Sequence, residues 1–221
     1  MIPSQYIFDP IEVIIDTIAQ FMHLSMIDYD MLPIHASVVC KGNKGIVILG
    51  NSGAGKTTLQ MTLLQNGYSF FSDDGVFVTK DMEVYANMVK HVSYTIQTAQ
   101  IANDLFGFHL DAAEKHKSRI NMSLVNYCTK PCVLIFPEEN TKDDTYKIEK
   151  ISSKEVLLRL MQNHVSKEYL PEIKGKYWKL FADMSKRYEA FSLKWKREFT
   201  LSQYKQVIKT LVESVSNREK L

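Results

Sequence analysis

Residues 45–74 read GIVILGNSGAGKTTLQMTLLQNGYSFFSDD. Four apolar residues, Ile46 to Leu49, lead into a glycine-rich loop, which opens into a helical pattern from about Gly55 to Gln65. Gly50-Asn51-Ser52-Gly53-Ala54-Gly55-Lys56-Thr57 fits G-x-x-x-x-G-K-[ST] at every fixed position. Chance gives such a match on the order of once in a hundred chains of this length. Strand, loop and helix in that order let consecutive N–H groups point at phosphate oxygens, with the positive end of the helix behind them. Lys56 then reaches the β- and γ-phosphates as a point charge, and the Thr57 hydroxyl joins the shell of a Mg²⁺ ion. The stretch predicts a nucleoside triphosphate site built from Gly50 to Thr57, with Thr58 beside it.

Asn66-Gly67 closes the helix as a left-handed cap, and YSFFS follows as a short buried strand. It ends in Asp73 and Asp74, two adjacent like charges that need a compensating cation near a core. Seventeen residues from Asn51 to Gly67 suffice for one helical crossover between parallel strands. With YSFFS directly beside GIVIL, about 4.8 Å away, both carboxyl ends meet at the edge where open α/β sheets place ligands. Asp73 and Asp74 are therefore expected beside the metal at Thr57. One serves as its partner, and the other accepts a proton or orients a nucleophile. The bland alternative is a surface turn, against which the preceding Phe70-Phe71 speaks.

Working outward, DPIEVIIDTIAQFMHL predicts a helix with Asp9 as cap and Pro10 at its first position. HASVVCKGNKGIVILG predicts a hairpin about KGNKG, and GVFVTKDMEVYAN a strand, turn and strand. IANDLFGFHLDAAEKHK is expected as helix and loop, and PCVLIFPEE as a buried strand stopped by Pro137. KIEKISSKEVLLRLMQN predicts a strand and then a helix boxed by Ser152 and Glu155. RYEAFSLKWKREF alternates Phe191, Leu193 and Trp195 on one strand face. Thr200 and Gln203 then box a last amphipathic helix. The order is α/β, a mixed sheet with flanking helices: an N-terminal helix over 1–30 packed on a single domain over 31–221.

The chain has 221 residues, 45% hydrophobic and 24% charged, a globular composition. No stretch approaches the ~20 apolar residues of a membrane span, and the N-terminus lacks the pattern of a secretory signal. With three sparse cysteines (Cys40, Cys128, Cys132) read as reduced thiols, a cytoplasmic protein without structural zinc or membrane contact is expected. The net charge of +2 is uneven: residues 141–221 hold 18 Lys+Arg against 11 Asp+Glu, leaving 9 against 14 before them. KGKYWKLF and LKWKREF read as solvated faces with lysine stems over apolar rings, so a nucleic-acid partner is not expected. His35 precedes the loop by fifteen residues. His23 reads as packing, His91, His109, His116 and His164 as surface or structural positions, and Glu138 and Glu139 as a solvated turn.

HASVVCKGNKGIVILGNSGAGKTTLQMTLLQNGYSFFSDDGVFV resembles the catalytic core of the HPr kinase/phosphorylase family, which shares a nucleotide-binding core with phosphoenolpyruvate carboxykinase. The resemblance covers residues 32–78. It rests on His35, the loop from Gly50 to Thr57, Gly67 and the early Asp73-Asp74 pair. It implies a P-loop core of that type and an ATP- and Mg²⁺-dependent kinase acting on a serine hydroxyl of a small protein or peptide. One aspartate takes the serine proton, His35 tunes that aspartate, and Lys56 holds phosphate. A later basic residue for phosphate falls at Arg119 or Lys117. The family's Arg-Gly-Leu-Gly-type segment and its metal-binding glutamate have no counterpart here, and with about thirty residues before His35 the N-terminal domain of the bifunctional enzymes is not expected. A free-metabolite kinase and a non-catalytic ATP-binding regulatory module are the rival readings. Family members often form oligomers, so a homo-oligomer is one expected state.

Overall fold

Strand β3 (Lys44–Leu49) delivers the chain to the phosphate loop and is buried from Gly45 onward. It needs an apolar side chain on both faces because it is flanked on both edges and covered on both sides. The structure, a computed structural model, describes residues 18, 21, 25–87, 91–106, 118–123, 128–139, 145–164, 171–196 and 199–216. On one edge of β3 lies β2 (Ala36–Lys41), antiparallel through the two-residue turn Gly42-Asn43 with Ala36 opposite Leu49. On the other lies β9 (Cys128–Glu139), parallel, with Ile48 opposite Ile135.

Among the described residues nine strands form one sheet. Its order runs β1 (Met31–Ile34), β5 (Val76–Thr79), β6 (Val84–Ala86), β9, β3, β2 and β4 (Ser69–Ser72). The long β9 also takes β11 (Glu189–Trp195) in parallel, and β10 (Lys147–Lys150) pairs with β11. A separate pair, β7 (His91–Tyr94) and β8 (Ser118–Asn121), stands off the sheet.

Alternation along the central strands divides the core into two layers. Val47, Leu49, Leu134 and Phe136 join one cluster, covered by α3 (Ser153–His164) and α4 (Pro171–Arg187). Ile46, Ile48, Val133 and Ile135 join the other, covered by α1 (Lys56–Gln65) and α5 (Leu201–Ser216). A third cluster packs Met61 of α1 and Phe70 of β4 against Val92, Tyr94, Ala99 and Ala102. It seats β7 and α2 (Ile96–Phe106) beside the loop.

The expected adjacency of β4 and β3 is corrected: β2 lies between them, antiparallel to both. The two-residue turn fixes β2 on that edge of β3, so the α1 crossover lands one strand further out. Their carboxyl ends still share one side of the sheet, roughly two strand spacings, or about 10 Å, apart. Where β2 meets β4 the register slips between Val38 and Val39. The amide of the buried Gln60 on α1 fills the gap: Nε2 donates to Val38 O at 3.3 Å and to Ser72 O at 2.7 Å. Helix α1 ends as expected, with Asn66 N–H returning to Leu63 O and Gly67 left-handed at φ 83.

Pro137 does not stop β9, which runs to Glu139. At Pro137 the β3 ladder has ended: a Cβ built on Gly50 would lie 3.5 Å from Pro137 O and 4.0 Å from its Cδ. The strand goes on there through its parallel ladder with β11, in which Pro137 lies opposite Leu193. The solvated face expected for KGKYWKLF is part of α4, a helix the lysines and Gly175 conceal. Tyr177, Leu180, Phe181 and Met184 are its buried stripe, while Trp178 is exposed. His35 is not on a strand but at the exposed joint between β1 and β2.

The capping box at Thr200 and Gln203 forms in both directions. At Ser152 only the forward half forms, from Glu155 N–H to Ser152 Oγ, because the Glu155 carboxylate turns to Arg159. Of the helix expected over 9–24, only the helical Ile18 and Phe21 are described, and the rest lies outside the described residues. Lys176 ties the segment after it to α4, donating to Ile27 O and pairing with Asp30. Cys40 is a buried free thiol, and the side chains of Cys128 and Cys132 lie outside the described residues. Among the described residues no helix is long and apolar enough to cross a membrane.

Replacing Gln60 by Leu strands two buried carbonyls, at a cost of about 1–3 kcal/mol. A thermal melt should show the midpoint fall by roughly 2–10 °C for a chain of this size.

Candidate active site

The loop leaves β3 at Leu49 and closes with Ala54 N–H donating to Asn51 O at 3.2 Å. Gly55 then caps α1 with φ 95. A Cβ there would stand 3.0 Å from Trp195 Nε1 and 3.1 Å from its Cζ2, so backbone and packing both require glycine. The first turn of α1 holds no acidic residue, so its positive end is uncompensated by its own side chains. Lys56 is buried and crosses the loop, its Nζ donating to Gly50 O at 2.8 Å and Asn51 O at 3.1 Å.

A cavity of about 260 Å³ lies over this loop. Ser52, Gly53, Gly55, Lys56, Thr57 and Thr58 form its floor, and His35, Asp74 and Ser93 form the facing wall. Its apolar end is made by Ile101, Trp195 and Tyr204. Trp195 and Tyr204 meet edge to face at 5.5 Å. Burial pushes the Tyr204 phenol up to about 12, so it is neutral at physiological pH.

The two aspartates part company. Asp73 is 2% exposed. Its Oδ1 accepts the Ser37 hydroxyl at 2.7 Å, and its Oδ2 accepts the Ser93 N–H at 3.0 Å. Burial pushes its carboxyl above the usual range, against the lowering effect of the Ser37 hydrogen bond. Asp74 is exposed, with φ 58, and it is this residue that lines the cavity. His35 Nδ1 lies 3.0 Å from the Asp74 carbonyl oxygen, a bond that puts a proton on Nδ1. Thr57 Oγ1 donates to Ser93 O at 3.5 Å, which links the loop to β7.

Arg119 sits on β8 directly opposite Ser93, with its side chain outside the described residues; Lys117 lies wholly outside them. So do His23, His109 and His116, while His91 and His164 are described in their backbones alone, on β7 and at the end of α3. Glu138 is not in a solvated turn. It ends β9, where its carboxylate takes Arg159 and the Ser192 hydroxyl, while Arg159 also lies over the Phe136 ring.

Ser37, Ser93, Gln60 and the loop-facing edge of Trp195 belong to the site but carry no motif. The alternation of β11 placed Trp195 in the core, and nothing local showed that the strand would end beneath the loop. Among the described residues no three His, Cys, Asp or Glu side chains converge as a metal cage. The oxygen donors that line the cavity include the Thr57 hydroxyl and the Asp74 carboxylate, a pair that a hard cation can take.

Among known proteins, no family model and no curated protein matches the chain. Among solved structures it resembles the Hpr(Ser) kinase/phosphatase from Coxiella burnetii over 86% of this chain and 99% of that one, with 14% identity and a TM-score of 0.39. The likeness is distant.

With Trp178→Phe leaving Trp195 as the lone indole, titration with ATP should change its emission. In Gly55→Ala the new methyl meets that indole in a strained backbone, and affinity measured by calorimetry should drop about tenfold or more.

Proposed function

We propose that the chain is an ATP- and Mg²⁺-dependent phosphotransferase acting on a serine hydroxyl of a small protein or peptide. The observation that carries this reading is the exposed carboxylate of Asp74 on the wall of the cavity whose floor is the Lys56–Thr57 loop. A regulatory nucleotide site needs the floor alone. A transferase also needs a base within reach of an acceptor lying against the terminal phosphate. The serine acceptor is the one the sequence resemblance over 32–78 implies.

The loop N–H groups and the end of α1 receive the phosphate chain, and Lys56 exchanges its carbonyl bonds for phosphate oxygens. Thr57 and Asp74 would hold Mg²⁺, which when bound neutralises charge on the phosphate oxygens. The Asp74 oxygen not turned to the cation takes the proton of the acceptor hydroxyl. The hydroxyl oxygen forms the new bond to the γ-phosphorus, the bond from that phosphorus to the bridging oxygen breaks, and ADP leaves with the electron pair. His35, on the same wall, holds the Asp74 backbone and so steadies the base. Positioning and charge stabilisation supply most of the rate in such transfers.

Incubation with ATP, Mg²⁺ and serine peptides should yield products heavier by about 80 Da, the mass of HPO₃. Asp74→Asn should lower the transfer rate by roughly 10²-fold or more while ATP still binds. Transfer at the wild-type rate in that variant would refute the assignment.

A further inference from the structure

The adjacent aspartates look interchangeable in sequence, and their surroundings make them different instruments. Asp73 presents neither oxygen to the cavity: one is held by Ser37 on β2, the other by the backbone of Ser93 on β7. Ser37 is fully buried, and Asp73 nearly so. Ser93 in turn accepts the Thr57 hydroxyl through its carbonyl oxygen. One chain of hydrogen bonds thus runs from Ser37 through Asp73 and Ser93 to Thr57, joining β2, the end of β4, β7 and α1. β7 makes no ladder with the nine-stranded sheet, so this carboxylate is a polar fastening between them beside the apolar contacts of Phe70 and Val92. The backbone of Asp73 is fixed as well, its carbonyl accepting Asn87 Nδ2 at 3.3 Å. That leaves the next residue in its left-handed conformation on the cavity wall.

We propose that Asp73 is a positioning residue: its buried carboxylate staples β7 to β2 and so holds the wall of Ser93 and Asp74 in place over the floor at Thr57. The proposal deepens the phosphotransfer reading by separating the roles of the pair, with Asp74 facing the phosphates and Asp73 fixing the distance across. An ionised side chain is not required for this task. Asparagine has the same shape: its Oδ1 can accept the Ser93 N–H while its Nδ2 donates to Ser37 Oγ, whose hydroxyl rotates from donor to acceptor. Alanine can do neither, and leaves a buried N–H and a buried hydroxyl without their partner.

The test compares Asp73→Asn, Asp73→Ala, Ser37→Ala and Asp74→Asn by ATP affinity with and without Mg²⁺, and by hydrogen exchange of the Ser93 amide. Asp73→Asn should keep the Mg²⁺-dependent gain in affinity, weakened by less than about tenfold, and should exchange slowly at Ser93. Asp73→Ala should exchange at least about tenfold faster there and bind Mg²⁺ and ATP correspondingly more weakly. Asp74→Asn should lose the Mg²⁺-dependent gain with Ser93 exchange unchanged. If Asp73→Ala does not fold, Ser37→Ala removes one arm of the staple and should raise Ser93 exchange in its place. Loss of the Mg²⁺ gain in Asp73→Asn would make Asp73 a metal-side carboxylate and overturn the proposal. Ser93 exchange at the wild-type rate in Asp73→Ala would do the same. Wild-type protein that binds ATP without transferring phosphate defeats the kinase reading alone, since affinity and exchange still decide the staple. If the wild type binds no nucleotide, the exchange rates decide it by themselves.

Discussion

The hairpin bond between β2 and β3 governs the rest of the architecture. Gly42-Asn43 leaves no slack, so β2 must occupy the edge of β3 from which the loop departs. The crossover through α1 therefore spans a strand before β4 can pair, and the acidic doublet arrives two spacings from the loop rather than one. The interval created in this way is the cavity. Gln60 makes the arrangement durable by bonding the carbonyls that the irregular β2–β4 register leaves open.

Within that interval adjacent residues acquire opposite characters. Asp73 is drawn into the protein and satisfied by a hydroxyl and an amide; Asp74 turns outward through a left-handed backbone. A buried carboxylate surrounded by fixed donors is rigid, and an exposed one facing the Lys56 loop is available. The same division recurs at the floor. Gly55 is selected by its backbone and by the indole beside it, while Lys56 rests on loop carbonyls that hold its ammonium at the cavity floor. The floor and the wall are thus each built from one residue that fixes shape and a neighbour that lines the cavity.

What could be read from the chain follows from how local each signal is. The loop, the Gly67 cap, the reciprocal box at Thr200 and Gln203 and the alternation of β11 are short-range patterns, and all recur in the structure. The insertion of β2 between β3 and β4 was not legible, because parallel orientation and helix length fit either neighbour. Pro137 misled because β9 continues past it on the parallel ladder with β11, after the ladder with β3 has ended at Ile135. Helix α4 was hidden by lysines whose stems flank an apolar stripe at helical spacing. Ser37 and Ser93 are ordinary serines 56 positions apart, brought together by a carboxylate that belongs to neither strand.

Phe70 has a further bearing on how the site can move. β4 is the last strand at its end of the sheet, and such a strand presents open backbone groups to any passing chain. Its apolar sequence SFFS would make that edge adhesive. Here Phe70 is covered by Val92, Tyr94, Ala99 and Ala102. The module carrying the far wall therefore doubles as a guard over that apolar ring, and swinging it wide would uncover it. Ligands accordingly have reason to slip in past the exposed Asn51–Gly53 rim, with the guard left shut.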